Sequence, residues 1–174
     1  MFKIETNRLW LRDFQPSDVQ SYVRFTANPD YQKYYSEEDC RREKSEFLAN
    51  QFVVQARDVP RRKYQLAIIE KSSDQLIGTC GIRAENDNHA SMGFGIAVEY
   101  QGIGYAFEAA RSMICFGFQA LGVYRIYAET LAANHSAVGL CERLGMHKEE
   151  HLIEHRFFKG CWWDTVVYAL KRNE

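Results

Sequence analysis

The apolar and polar positions of this chain follow two different periods, and the period changes in a definite order. Residues 8–13 alternate in the manner of a half-buried strand, whereas residues 47–53 repeat apolar side chains at helical spacing. Polar turns separate three later strand-like segments. The pattern predicts, in order, a strand at 8–13, helices at about 17–27 and 36–55, and antiparallel strands at 64–70, 76–83 and 90–98.

The second half of the chain alternates helices with strands. Apolar side chains at Phe107, Ile114 and Leu121 form one stripe of a long helix. The predicted elements are a helix over 103–121, a strand at 124–131, a helix from Asn134 to about Gly145, and strands at 147–153 and 162–170. We therefore expect an α/β (α+β) fold, a single domain over residues 1–174. Its mixed, mostly antiparallel sheet has seven strands, flanked by about four helices.

A glycine-containing turn joins the strand at 90–98 to the long helix. Gly102 and Gly104 adopt unusual φ values readily, and neither carries a Cβ that would keep an anion from the main chain. The N-terminus of the helix adds backbone N–H groups and a partial positive charge. The turn therefore predicts a phosphate or pyrophosphate site. Because it contains no Lys or Arg, we expect backbone amides to hold this group.

Composition narrows the class of partner. The 22 basic and 23 acidic residues leave a formal net charge of −1, whereas a protein that binds nucleic acid through phosphate contacts is usually more basic. The five cysteines are scattered without a Cys-x-x-Cys pair, which favours free thiols in a reducing compartment. Neither a signal peptide nor a membrane-spanning segment is evident. We expect a cytoplasmic protein that binds neither nucleic acid nor membrane.

Four segments, in this order along the chain, resemble one known family. They are the opening Glu5-Thr-Asn-Arg8-Leu-Trp-Leu-Arg12, the turn Gln101-Gly102-Ile103-Gly104-Tyr105-Ala106, the segment from Asn134 to Met146, and the ending from Gly160 to Leu170. Together they resemble the Gcn5-related N-acetyltransferase (GNAT) family, in the branch of the ribosomal-protein N-terminal acetyltransferases. Rival phosphate-binding folds match less well, because a dinucleotide fingerprint needs glycine at Phe107 and a P-loop needs Gly-Lys-Ser/Thr.

The resemblance implies an acetyl-CoA-dependent N-acetyltransferase without a metal, acting on a protein N-terminal α-amine or a small-molecule amine, as a monomer or homodimer. A coenzyme-A-binding module without catalytic activity is the alternative. The implied coenzyme-binding residues are the backbone of Ile96, Ala97 and Val98, the turn residues Gln101, Gly102, Ile103, Gly104, Tyr105 and Ala106, and Asn134. Gly93 and Gly95 fit a bulged strand that a ligand approaches closely, or a simple packing bulge.

The resemblance also implies candidate catalytic residues. Glu129, five residues before Asn134, matches the position of the family's general base; the alternative is an ordinary solvent-facing strand residue. Cys141 stands where related enzymes carry a tyrosine acid. A thiol could reprotonate the leaving thiolate, but a small buried cysteine is the more common role. This leaves the acid unassigned.

Aromatic residues are candidates for the wall of the acceptor site. They are Tyr31, Tyr34 and Tyr35 in the connection between the first two helices, and Trp162 near the end of the chain. His147, His151 and His155 recur every four residues, a spacing that could build a metal site on one face. The predicted hairpin separates them, however, so we expect surface histidines and no metal.

Overall fold

The computed structural model describes residues 1–173, which form four α-helices and one eight-stranded sheet. The strands are β1 (Lys3–Glu5), β2 (Leu9–Asp13), β3 (Lys63–Glu70), β4 (Gln75–Ala84), β5 (His89–Ile96), β6 (Arg125–Leu131), β7 (His147–Phe158) and β8 (Cys161–Lys171). The helices are α1 (Val19–Thr26), α2 (Arg42–Gln55), α3 (Tyr105–Gln119) and α4 (His135–Arg143). The sheet order is β1-β2-β3-β4-β5-β6-β8-β7. The predicted mixed α/β fold is confirmed, with β1 as an eighth strand.

The sheet is antiparallel except at its centre, where β5 and β6 run parallel. Helix α3 connects these two strands, as parallel pairing requires a crossover. In β3, Leu66 and Ile68 belong to the core that includes α3, while Ala67 and Ile69 belong to a second core with α1 and α2. The uninterrupted apolar run of β3 therefore reflects a strand buried on both faces.

Two helix starts differ from the sequence prediction. Residues 16–18 form a 3-10 turn before α1, and the carboxylate of Asp18 accepts a hydrogen bond from the Gln15 N–H, so the α-helix begins at Val19 and not at the predicted residue 17. Ser36 and Asp39 do form a local turn, but α2 begins only at Arg42. Because a short Ser–Asp turn satisfies its own backbone donors, it need not continue into a helix.

Candidate active site

The central feature of the sheet is the separation of β5 from β6. These strands pair only from His89 to Ser91, opposite residues 125–127, and then diverge. A cleft of about 1070 Å³ opens where they part. It runs from the glycine turn before α3 to the connection between α1 and α2, because residues of all these segments line it.

Strand β5 presents unpaired backbone groups to this cleft. Its His89 carbonyl and the Ala97 N–H just beyond its end are bonded to the β4 side, at Glu85 and Ile77. Because hydrogen bonding alternates along an antiparallel pair, the N–H groups of Phe94 and Ile96 point the other way, into the cleft. They are the donors that β5 offers to an extended ligand.

The three residues of the predicted backbone segment do not all face the cleft in the same way. Ile96 lines the cleft as expected, but the Ala97 N–H donates to Ile77, and Val98 begins a 3-10 turn beyond the end of β5. Phe94 and Ile96 therefore direct their N–H groups into the cleft and Ala97 does not, while the roles expected for Ile96 and Val98 stay predictions. The strand ends two residues earlier than predicted, which moves the exposed donors towards its start.

The two glycines of β5 serve different purposes. The β4–β5 register is continuous, so the predicted bulge is absent from this strand pair. Gly95 is required because the hydroxyl of Tyr31 occupies the place where its Cβ would be. Nothing lies within 4 Å of a Cβ built at Gly93, which lines the open cleft.

The glycine turn has the geometry of an anion site. Gly102 and Gly104 have φ values of +79° and +89°, which side chains larger than hydrogen rarely permit, and Gly104 is the N-cap of α3. Both line the cleft, as do Gln101, Tyr105 and Ala106; Ile103 is instead about half exposed. Gln101 ties the turn to β5, because its side-chain amide donates to the Ile96 carbonyl at 2.9 Å.

A cation missed by the sequence analysis lies at this turn. The Arg8 guanidinium donates to the Ile103 carbonyl at 3.0 Å and to Glu108 of α3 at 2.7 Å. The turn itself contains no cation, but the fold brings one to it across about a hundred residues of sequence. The only available signal was the position of Arg8 in the opening motif, which says nothing about contact with the turn.

On the other wall, Asn134 lines the cleft at the start of α4. Its side-chain oxygen accepts from the Ala137 N–H at 3.3 Å, so it caps the helix and leaves its NH₂ group directed away from that bond. Arg143, at the end of α4, lines the same cleft and lies 6.0 Å from the ring of Phe107. A positive charge therefore stands near the turn on this side as well.

Glu129 projects from β6 into the cleft at the point of divergence. Its side chain is exposed and forms no hydrogen bond or ion pair with any residue in the described range 1–173. It lies one strand over from the free backbone donors of β5. A carboxylate in this position is available to an incoming amine.

Cys141 lies on α4 at the floor of the cleft and is 1% exposed. Burial raises the pKa of its thiol from the ordinary 9.0 to about 11. A thiol of this kind stays protonated at neutral pH and is a weaker acid than an ordinary cysteine. The structure thus favours the packing role of this cysteine over the acid role.

The tyrosine-rich connection forms the outer end of the cleft. Tyr31, Tyr34 and Tyr35 all line it, as expected. Burial, and after it the neighbouring Tyr35, raises the pKa of Tyr31 well above the ordinary value. The Tyr31 ring stacks on that of Tyr35, with centroids 5.4 Å apart, and this pair forms part of the cleft wall.

Trp162 does not share this position. Its side chain is 58% exposed and packs against Phe157, so the structure does not bring it to the cleft that the three tyrosines line. Phe157, Phe158 and Thr165 line that part of the cleft instead. Two irregularities in the β7–β8 pairing, at 148/150 and 152/156, change which residues face the cleft.

The three regularly spaced histidines do not converge. The ring of His151 bonds to Asp164 at 2.8 Å, and that of His155 bonds to Thr165 at 3.0 Å. Within residues 1–173, no group of three metal-binding side chains is positioned to hold an ion. These histidines belong to the surface of the β7–β8 hairpin.

Sequence comparison decides the family. The acetyltransferase (GNAT) domain model matches residues 8–147. The chain belongs to the GNAT family. Bacillus subtilis YoaA, an uncharacterized N-acetyltransferase, is 29% identical over 174 residues, covering 98% of this chain and 97% of the relative. The spermidine N(1)-acetyltransferase of Vibrio cholerae is 27% identical over 169 residues, covering 95% of this chain and 94% of that enzyme.

Solved structures share the fold. A GNAT-family acetyltransferase from Bacillus anthracis superposes with a TM-score of 0.85 at 23% identity, covering 99% of this chain and 100% of the other. The Vibrio cholerae spermidine N-acetyltransferase, solved with CoA and spermine, gives 0.81 at 23% identity, covering 95% and 96%. The ribosomal L7/L12 α-N-protein acetyltransferase, solved with CoA, gives 0.85 at 14% identity, covering 98% of each chain.

These findings make the chain a GNAT N-acetyltransferase whose acetyl donor is acetyl-CoA, as in the rest of the family. Its neighbours include ribosomal-protein acetyltransferases, the branch that the sequence motifs indicated. The cleft fits this donor, because it offers both positive-φ glycines at a helix N-terminus and unpaired N–H groups along β5. No helix in residues 1–173 is long and apolar enough to cross a membrane.

Proposed function

We propose that this GNAT enzyme acetylates a primary amine by direct attack of the amine on the thioester of acetyl-CoA, with Glu129 as general base. The observation that carries this proposal is the placement of Glu129 in one continuous cleft with the glycine turn and the free donors of β5. A base, an anion site and backbone donors are the groups that this chemistry needs.

The coenzyme is held by three parts of the cleft in this proposal. The backbone amides around Gly102 and Gly104 take the pyrophosphate at the N-terminus of α3. The N–H groups of Phe94 and Ile96 pair with the pantetheine arm or the carbonyl of the thioester, and the Asn134 amide approaches from the opposite wall. Acetyl-CoA supplies the activated acyl group.

Glu129 acts on the amine. An alkylamine with a pKa near that of lysine, about 10.4, is mostly protonated at neutral pH and must lose a proton before it can attack. The exposed carboxylate of Glu129 accepts this proton directly or through one water molecule. The Phe94 or Ile96 N–H then stabilises the negative charge that develops on the thioester oxygen.

The proton for the leaving thiolate has no assigned donor. Cys141 is a poor candidate, because burial raises the pKa of its thiol to about 11, so donation to an ordinary thiolate is uphill. In this proposal Cys141 contributes packing at the floor of the cleft. The thiolate leaves into the open, solvent-accessible side of the cleft.

The acceptor class that we propose is a slender polycationic amine of the polyamine type. The carboxylates of Asp30, Asp39 and Glu129 line the cleft, together with the cations Arg156 and, near the glycine turn, Arg143. A chain with several ammonium groups gains from more than one of these carboxylates. The similarity to an enzyme named for spermidine supports the same class.

The direct test is release of CoA thiol from acetyl-CoA with a panel containing spermidine, spermine and a short unstructured peptide with a free N-terminus. We expect turnover with the polyamines and a much lower kcat/KM with the peptide. The reverse preference would contradict the acceptor class but not amine acetylation. Binding of acetyl-CoA without turnover on any amine would instead favour the catalytically idle module.

We further propose that residues 1–174 act as a single catalytic domain in the cytoplasm, where acetyl-CoA is made and used. Five free cysteines support a reducing compartment. Whether the domain works as a monomer or as a homodimer is measured by sedimentation, with and without acetyl-CoA.

A further inference from the structure

Arg8 is fastened to the glycine turn by several independent contacts. Its Nη1 donates to the Ile103 carbonyl at 3.0 Å, and its Nε donates to the Glu108 carboxylate at 2.7 Å. The guanidinium also lies over the ring of Tyr105, with Cζ 4.4 Å from the ring centroid. Three groups around the start of α3 thus contact one side chain from the N-terminal segment.

Arg8 stands behind the turn, on the side away from the coenzyme cleft. Gly104 lines both the cleft and a second cavity of about 760 Å³, and Arg8 lines only the second. Its Nη2 lies 3.3 Å from the place where a Cβ on Gly104 would stand. The turn is therefore a thin wall with the proposed pyrophosphate site on one side and Arg8 on the other.

The contact with Ile103 fixes the direction of a donor on the cleft side. In a planar trans peptide, the carbonyl of one residue and the N–H of the next point in opposite directions. Because Arg8 holds the Ile103 carbonyl outward, the Gly104 N–H points inward to the cleft. A positive charge on that carbonyl also polarises the same peptide group, which strengthens its N–H as a donor.

The contact with Glu108 removes an electrostatic conflict. Glu108 lies in the first turn of α3, where its charge suits the helix N-terminus but repels an anion bound there. Its carboxylate accepts from the Arg8 side chain, the Arg8 backbone N–H and the Thr6 hydroxyl, each at 2.7 Å. Burial alone would raise the pKa of Glu108, but these hydrogen bonds outweigh it and hold that pKa below the ordinary value.

We propose that Arg8 is a positioning residue for the phosphate-bearing half of the coenzyme: it orients the Gly104 N–H into the cleft and neutralises Glu108. This role rests on the coenzyme site proposed above. It predicts that loss of Arg8 weakens donors that carry the pyrophosphate and spares donors that lack it.

The experiment compares acetyl-CoA with S-acetylpantetheine, which keeps the thioester and pantetheine arm but has no phosphate. For Arg8→Gln we expect kcat/KM for acetyl-CoA to fall about tenfold, mainly through KM, with little change for S-acetylpantetheine. Arg111→Gln is the matched control, because Arg111 is an exposed cation that lines the same second cavity without contacting the turn. It should leave both donors unaffected.

Equal losses with both donors in Arg8→Gln, or no loss with either, would overturn the role of Arg8. If Arg8→Gln does not fold, Arg8→Lys takes its place. The lysine ammonium keeps the charge but cannot bond Glu108 and the Ile103 carbonyl at the same time, as the guanidinium does. We therefore expect kcat/KM to fall for acetyl-CoA and not for S-acetylpantetheine. If the wild-type enzyme used both donors equally well, that result would contradict the proposed pyrophosphate site and, with it, the proposed role of Arg8.

Discussion

The Tyr34 hydroxyl donates a 3.0 Å hydrogen bond to the carbonyl of Ala133, 99 residues further along the chain. This bond joins the connection between α1 and α2 to the loop between β6 and α4. A second bond to the same connection comes from the turn between β7 and β8, where the Lys159 ammonium donates to the Gln32 carbonyl at 2.6 Å. The connection between α1 and α2 is therefore tied both to the loop before α4 and to the β7–β8 turn.

Replacing Tyr34 by Phe should affect the acceptor and spare the coenzyme. The variant keeps the ring that meets Trp163 edge-on at 6.2 Å but loses the hydroxyl bridge, which is worth about 1 kcal/mol of folding free energy or less. We expect KM for the acceptor to rise several-fold, with an unchanged Kd for acetyl-CoA. Tyr124→Phe, at an exposed tyrosine outside the cleft, is the control. An equal loss of acetyl-CoA affinity in Tyr34→Phe would contradict this division of the cleft.

Gly102→Ala should abolish binding of acetyl-CoA, and the loss should exceed what backbone strain at a positive-φ position causes. Gly122, which follows α3, is the matched control: both glycines have positive φ, +79° and +68°, and both would place a Cβ in open space. Each substitution should cost about 1–2 kcal/mol of stability. Only Gly102 lines the cleft, so only its variant should lose stabilisation by acetyl-CoA, about 2.7 kcal/mol at a hundredfold excess over Kd.

The readout is the shift of Tm with acetyl-CoA concentration in each variant. Equal ligand-induced shifts in Gly102→Ala and Gly122→Ala would remove the turn from the coenzyme site.

Cys141 should make folding stability fall at alkaline pH. Burial raises its thiol pKa from 9.0 to about 11, so between these values the unfolded chain loses the proton and the folded chain keeps it. The protonated Cys141 thiol thus contributes about 2–3 kcal/mol to the free energy of unfolding. This contribution is present in full below pH 9 and is lost as the pH rises to 11. Denaturant titrations should show a shallower loss in Cys141→Ala, whereas Cys115→Ala, at an exposed thiol, should behave like the wild type. Identical slopes in all three proteins would show that Cys141 titrates normally.

Short-range signals in the sequence were sufficient to predict most of the fold and the turn at the proposed coenzyme end of the cleft. The turn at Gly102 and Gly104 and the helix start at Asn134 could be predicted because a turn glycine or a helix cap is recognisable within a few residues. The strands β3 to β6 were likewise placed within one or two residues, since alternation and turns define them locally. The three-residue strand β1 was too short to show a pattern.

Residues brought together over long distances were the ones missed. Arg8 and Glu108 are 100 residues apart, and nothing near either residue predicts their pairing. The side on which Trp162 lies could not be read from strand alternation either, because the β7–β8 pairing shifts register twice. The two-residue error at the end of β5 had the same origin: the Ala97 N–H bonds to Ile77, which lies in another strand.

The most direct test of the account is the pH–rate profile of Glu129→Gln on one competent acceptor. We expect unchanged acetyl-CoA affinity and a loss of kcat/KM of about 10²–10⁴-fold at pH 7, the usual contribution of a general base. The loss should shrink as the pH rises, because more of the amine is then neutral in solution. Glu150→Gln is the matched control, since Glu150 and Glu129 flank the same β8 residue, Val167, but only Glu129 lines the cleft. Full activity of Glu129→Gln from pH 6 to 9 would contradict the proposed base.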